Sequence, residues 1–325
     1  MRTIRKALLV GINDYPGQPL YTCINDASAL HDLLESRLDG SPNFDAKLHL
    51  DVPTKVGLKK LIIDTFSGEA ETVLFYFSGH GVINDIGGYI ATPDYQTHDE
   101  GVSMDEILRI VNESKASNRI VILDCCYSGT FGNPGSGGGH TSQIKTGVTI
   151  LTSSRDNEVS MEGDEHSLFT NLLLEALKGG AADLGGYITP GGIYAYIDQA
   201  LGNWGQRPQF KTNVSEFTPI RQVAPPIPTT TLRTIVKHFS LPEDELELDS
   251  SFEDTNSDKI IHEVIEPQAK PGNVATFKDL QKLQSVGLVV PVGEDHMYFA
   301  AMKFKSCKLT PLGRHYWRLI KEKRI

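Results

Sequence analysis

The chain has no apolar run approaching the roughly 20 residues that a membrane-spanning helix needs. It is also poor in cysteine (4), tryptophan (2) and methionine (5) over 325 residues. The first absence argues against a helical membrane protein. So few cysteines argue against a small secreted scaffold stapled by disulfides. Two of the four, Cys125 and Cys126, are adjacent and cannot readily bridge, and no C-x-x-C spacing offers a zinc site. Free thiols in a reducing, cytoplasmic setting are expected. Basic charge is short as well: 31 Lys and Arg face 41 Asp and Glu, a net charge of −10. That balance argues against wholesale attraction to nucleic acid or acidic membranes. The start, Met1-Arg-Thr-Ile-Arg-Lys6, is basic, but the apolar stretch after it has only strand length and stops at Asn13-Asp14. It is not expected to act as a signal peptide.

What is present is an alternation of strand and helix patterns over residues 4–220. Lys6–Ile12 reads as a strand, and Asn25–Leu38 carries the helical stripe Ala27, Leu30, Leu33, Leu34 and Leu38. Ala46–Leu50 is a short strand, Lys55–Phe66 a helix and Thr72–Phe77 a strand. Ser103, three residues before Glu106, predicts a capping box that opens a helix to Val111. Arg119–Leu123 and Val148–Thr152 read as strands, with helices at Ser167–Lys178 and Gly191–Leu201. Such alternation predicts an α/β fold, a mostly parallel sheet with helices on both faces.

Two strands end in chemistry. Thr72–Tyr76 leads into Phe77-Ser78-Gly79-His80-Gly81, and Arg119–Leu123 into Asp124-Cys125-Cys126-Tyr127-Ser128-Gly129. The carboxyl ends of strands are where open α/β sheets place their active groups. Taken singly, a cysteine there is usually a small buried hydrophobe and a histidine is usually structural. As a pair flanked by glycines, where the chain turns sharply and main-chain N–H groups can approach a substrate, they point to an imidazole and a thiol serving one site. Successive residues on a strand face opposite ways, so only one of Cys125 and Cys126 can meet His80.

These motifs resemble the caspase-like superfamily, and within it the metacaspases and bacterial orthocaspases. Supporting segments are Ala7-Leu-Leu-Val-Gly-Ile-Asn-Asp-Tyr15, Cys23-Ile-Asn-Asp-Ala27, and Leu151-Thr-Ser-Ser-Arg155 with Phe169-Thr170. The resemblance covers about residues 4–220. His80 and Cys126 are 46 residues apart, near the spacing noted for caspases. The resemblance implies a cysteine endopeptidase acting on proteins or peptides, with Cys126 as nucleophile and His80 as its partner. It further implies that the backbone N–H groups of Gly81 and Cys126 form the oxyanion hole, and that Asp26 and Asp124 line the first specificity pocket. Two carboxylates suit a guanidinium or ammonium group, so cleavage after Arg or Lys is expected. Animal caspases carry Q-A-C-[RQG]-G at the nucleophile. The departure here argues against cleavage after aspartate. For Asp26 an alternative stays open, an N-cap for the helix from Ala27.

Relatives are often calcium-activated; Asp94, Asp99, Glu100 and Asp105 are the candidate ligands. Their spacing fits no EF-hand loop, and solvated loop acids are the favoured alternative. No cofactor is expected to be required. A glycine-rich linker, about residues 130–146, follows the nucleophile, and Lys145 is the candidate site of self-cleavage.

The peptidase domain is expected to span 1–222 and a smaller domain 223–325, with Ala224-Pro-Pro-Ile-Pro228 at the junction. In the second, Leu241–Asp258 reads as an acidic loop and Thr276–Val286 as a helix. Gly287–Val292 and Met297–Met302 read as two strands and Leu312–Lys323 as a terminal helix, a winged-helix-like α+β order. From Gln268 onward 11 Lys and Arg face 4 Asp and Glu, whereas 226–267 carries 3 against 10. That balance favours a sensor or protein-docking role over nucleic-acid binding. The rival to a peptidase is a non-catalytic scaffold or DNA-binding regulator. A bacterial stress or defence effector is the family-level expectation.

Overall fold

The computed structural model describes residues 4–96, 99–126, 144–153, 165–202, 207–257 and 264–325. The chain divides into two compact units, Met1–Ala224 and Pro225–Ile325.

Among the described residues of the first unit, β1 (Arg5–Gly11), β2 (Asp45–Leu50), β3 (Thr72–Ser78), β7 (Asn118–Asp124), β8 (Val148–Thr152) and β10 (Gln209–Asn213) form a six-stranded sheet in the order β10-β8-β7-β3-β1-β2. All neighbours are parallel except β10 and β8. Two small antiparallel sheets flank it. One joins β4 (Gly81–Ile83), β5 (Gly88–Ile90) and β6 (Val102–Ser103); the other pairs β9 (Tyr187–Ile188) with β11 (Arg221–Gln222).

Strands β3 and β7 are almost wholly buried because both faces are covered, which is why they read as unbroken apolar runs. Pleat alternation divides their side chains. Leu8, Val10, Phe75, Phe77, Val121 and Leu123 pack on one side with α2 (Lys55–Phe66) and α3 (Met104–Glu113). Leu9, Leu74, Tyr76 and Ile122 pack on the other with α1 (Cys23–Glu35), α4 (Leu168–Glu175) and α5 (Pro190–Leu201). Each such Leu, Ile or Phe contributes about 1.5–3 kcal/mol relative to exposure. The parallel sheet with helices on both faces is the architecture the alternation predicts.

Local details differ. Helix α1 begins at Cys23, two residues before the expected start, and Thr22 holds its N-cap position, so Asp26 is not the cap. At α3 the predicted capping box is not formed. Ser103 makes no side-chain cap bond, and Glu106 instead pairs with Lys59 Nζ at 2.6 Å.

In the second unit α6 (Thr229–Arg233) and α7 (Ile235–His238) precede β12 (Glu245–Glu247), α8 (Pro271–Ser285), β13 (Val289–Val292), α9 (Met297–Met302), β14 (Ser306–Leu309) and α10 (Pro311–Lys321). The strands form an antiparallel sheet, β12-β14-β13. Met297–Met302 is thus a helix, not the expected strand, and no tight hairpin forms at Gly293–His296. Met297, Ala300 and Ala301 are buried at helical spacing. The strand role passes to Ser306–Leu309, which pairs with both β12 and β13. Within the acidic segment 241–258, β12 and a 3-10 turn at Ser250–Phe252 are ordered. Among the described residues no helix is long and apolar enough to cross a membrane.

Candidate active site

Strands β3 and β7 run in register with Ser78 opposite Asp124. The segments that follow, Gly79-His80-Gly81 and Cys125-Cys126, therefore leave the sheet side by side. Gly79 N donates to Asp124 O at 3.3 Å. Gly81 lies against Cys126 so closely that a Cβ there would be 1.9 Å from the Cys126 carbonyl oxygen and 3.2 Å from Cys125 Sγ. Any residue other than glycine would push the two strand ends apart.

The adjacent cysteines part company. Cys125 is 1% exposed and belongs to the core on the α2–α3 side. Cys126 is partly exposed, two residues beyond Asp124, whose carboxylate bonds α4 on the opposite side.

The His80 ring is fixed on three counts. Its backbone N–H donates to Tyr15 Oη at 3.1 Å, and that hydroxyl donates onward to Ala91 O at 3.2 Å. The Tyr15 and His80 rings meet edge to face, centroids 4.6 Å apart. Burial pushes the Tyr15 phenol well above its ordinary pKa, which keeps it a hydroxyl donor. Third, His80 Nε2 lies 2.8 Å from Gln18 O. A carbonyl oxygen only accepts, so Nε2 carries the proton and Nδ1 is the ring's acceptor in the neutral imidazole. Gln18 was invisible to motif reasoning because it acts through its backbone.

Asp26 and Asp124 come together beneath these strand ends, both buried. Asp26 Oδ2 accepts from Ser78 Oγ at 3.1 Å, and its Oδ1 accepts from Ser167 N at 3.2 Å with His166 Nδ1 at 3.0 Å. Asp124 Oδ2 accepts from Ser167 Oγ and, at 2.7 Å, from Thr170 Oγ1. Its Oδ1 is buried without a hydrogen bond among the described residues. Burial, then the charge of Asp124, pushes the Asp26 carboxyl up to about 8. Burial also raises Asp124 against the hydrogen bonds that favour its charge. Ser167 caps α4, accepting from Thr170 N at 3.1 Å. The Ser-x-x-Thr spacing was a legible capping signal, but nothing in it announced that His166, Ser167 and Thr170 would grip two acids.

Beside His80, between the segments that follow β1 and β5, lies a cavity of about 390 Å³, lined by Tyr15, Gln18, His80, Gly81, Pro93 and Tyr95 among others.

The calcium candidates do not converge among the described residues. Asp94 accepts from Lys55 N at 3.0 Å and from Thr92 Oγ1 at 2.6 Å, Asp99 pairs with Lys55 Nζ, and Asp105 lies in the first turn of α3. The metal-capable side chains that do converge, His31, Asp32 and Glu35, lie on α1. Lys145 is exposed. Its N–H donates to Asn112 Oδ1 at 3.0 Å and its carbonyl accepts from Val148 N at 3.2 Å. Ser128, Gly129, Arg155 and linker residues 130–143 lie outside the described residues.

Cys126 and His80 thus follow neighbouring strands of a mostly parallel sheet covered by helices on both faces. The chain belongs to the caspase-domain peptidase family, whose model matches residues 4–214. It is a cysteine peptidase by family, with proteins or peptides as the substrate class. A crystal structure of a Geobacter sulfurreducens protein matches with TM-score 0.52 at 18% identity, over 68% of this chain and 98% of the other. Caspase-1 from Spodoptera frugiperda matches with TM-score 0.51 at 13% identity, over 68% and 91%. Identities this low carry the fold alone. No curated protein matches the chain.

Proposed function

We propose that the protein is a cysteine endopeptidase of metacaspase type that cuts after Arg or Lys with a Cys126–His80 dyad. The observation that carries this is the pairing of Ser78 with Asp124, which sets the two strand ends abreast above a buried pair of acids. Cys126 Sγ attacks the scissile carbonyl, and His80 takes the thiol proton and delivers it to the leaving amine. The Gln18 carbonyl orients the imidazole. Backbone N–H groups of Gly81 and Cys126 receive the oxyanion. Water then hydrolyses the acyl-enzyme. The substrate's basic side chain reaches Asp26 and Asp124, where the unpaired Asp124 Oδ1 offers an acceptor and an arriving cation favours the charged form of both acids. Self-processing after Lys145 belongs to the same chemistry, as does a regulatory role for the second unit.

The test is hydrolysis of short fluorogenic peptides ending in Arg, Lys or Asp. Turnover is expected for Arg and Lys. Cys126→Ala and His80→Ala should each lower it by at least about a hundredfold, the scale of a lost general acid–base group or nucleophile. Cys125→Ala should retain most of it. A dead Cys125 variant beside an active Cys126 variant would reverse the nucleophile assignment.

A further inference from the structure

The imidazole of His80 has two flanks, and the strand order β7-β3-β1 fixes what lies on each. Toward β7 stand Cys126 and Asp124, and Asp26 of α1 meets Ser78 at the end of β3 itself. Toward β1, the segment after β1 and the segment after β5 enclose the 390 Å³ cavity that His80 itself lines. Apart from His80 its walls are uncharged among the described residues. Tyr15, Pro16, Val82, Ala91, Pro93 and Tyr95 supply apolar and aromatic surface, interrupted by the polar groups of Gln18 and Thr92.

We propose that this cavity receives the side chain of the first residue on the amine side of the cut bond and selects an apolar, above all aromatic, one. The inference rests on the endopeptidase reading and extends it to the other half of the substrate. A peptide crosses such a site in one direction. Its basic residue lies toward the acids, its scissile carbonyl lies at Cys126, and its leaving nitrogen must come within hydrogen-bond reach of His80 to be protonated. The residue attached to that nitrogen then passes His80 on the flank away from Cys126, and the cavity is what it meets there. The volume falls in the range of small-ligand pockets. The tyrosine rings suit offset or edge-on contact with an aromatic guest. A carboxylate entering the same space would lose water and find no cationic partner in the walls.

Tyr95 is the wall residue to remove. It is 49% exposed and stands apart from the hydrogen bonds that fix His80, unlike Tyr15. Internally quenched peptides would keep Arg before the cut and carry Phe, Leu, Gly or Asp after it. The expected kcat/KM for Phe exceeds that for Gly by about tenfold, the low end of what an apolar pocket discriminates, and Asp falls below Gly. Tyr95→Ala should bring the Phe-to-Gly ratio within about twofold, leave the Gly peptide's rate nearly unchanged, and be rescued by Tyr95→Phe. Equal rates for Phe and Gly in the unmodified protein, or a preference that survives Tyr95→Ala, would overturn the proposal. Saturation-transfer NMR with the amine-side peptide Phe-Ala-amide reads the cavity without hydrolysis. Contact in the unmodified protein that fades in Tyr95→Ala supports the site, and no contact overturns it. If no peptide is cut yet Phe-Ala-amide still depends on Tyr95, the endopeptidase reading fails while the pocket stands.

Discussion

Asp26 and Asp124 oppose folding on their own account, since each carboxylate is taken out of water and each repels the other. Serine, threonine and histidine donors offset part of that cost, and the remainder shows in Asp26, whose carboxyl is pushed up to about 8 by burial first and Asp124 second. A folded pKa above the ordinary 3.8 means that the folded state keeps a proton the unfolded chain has released. The associated stability is present at low pH and is lost as pH rises from about 4 through about 8. Asp26→Asn removes this dependence. Thermal melts should show the variant gaining on the unmodified protein as pH is raised, and exceeding its Tm at pH 8. Hydrolysis of Arg peptides by the same variant should fall at least about tenfold, because a buried cation loses a charged partner. A variant less stable than the unmodified protein at pH 8 would contradict the assignment of Asp26 as a group kept for binding at a cost in stability.

At the scale of elements, the strands and helices of the first unit were legible because β3 and β7 are buried on both faces and α1 and α2 carry one apolar stripe each. His80 and Cys126 were legible for the same reason, standing directly after those strands. What escaped depends on contacts between distant segments. The Gln18 carbonyl enters the site through its backbone, and His166 reaches Asp26 across 140 residues. The two-residue strands β9 and β11 have no period to detect. Met297–Met302 escaped for another reason, since a six-residue apolar run has no period that separates strand from helix. The same scale governs self-cleavage. Lys145 sits in a turn held by Asn112 Oδ1 and by Val148 N, and the turn must open before the bond after Lys145 can lie extended in a site. Asn112→Ala should therefore speed the appearance of fragments ending at Lys145 by severalfold, the worth of one hydrogen bond. Mass spectrometry of the incubated protein checks this. Fragments ending elsewhere, or equal cutting when Cys126 is alanine, would refute self-processing at this turn.

For the whole molecule, the break between units falls after Ala224. Val223 packs in the core of the first unit and its N–H donates to Gly186 O at 2.8 Å, while β11 pairs with β9. A fragment ending at Ala224 should fold and retain peptide hydrolysis, whereas one ending at Arg221 should melt lower because it loses Val223 and half of β11. Insolubility of the 1–224 fragment would make the second unit part of the catalytic body. The full chain also permits the most direct test of the central claim, that Cys126 beside His80 serves a pocket for a basic side chain. The protein would be incubated with peptidyl acyloxymethyl ketones ending in Arg or in Asp, and the modified residue located by peptide mapping. A single adduct on Cys126 is expected from the Arg reagent, suppressed by excess Arg peptide and absent in His80→Ala. An adduct on Cys125, or faster labelling by the Asp reagent, would contradict that claim.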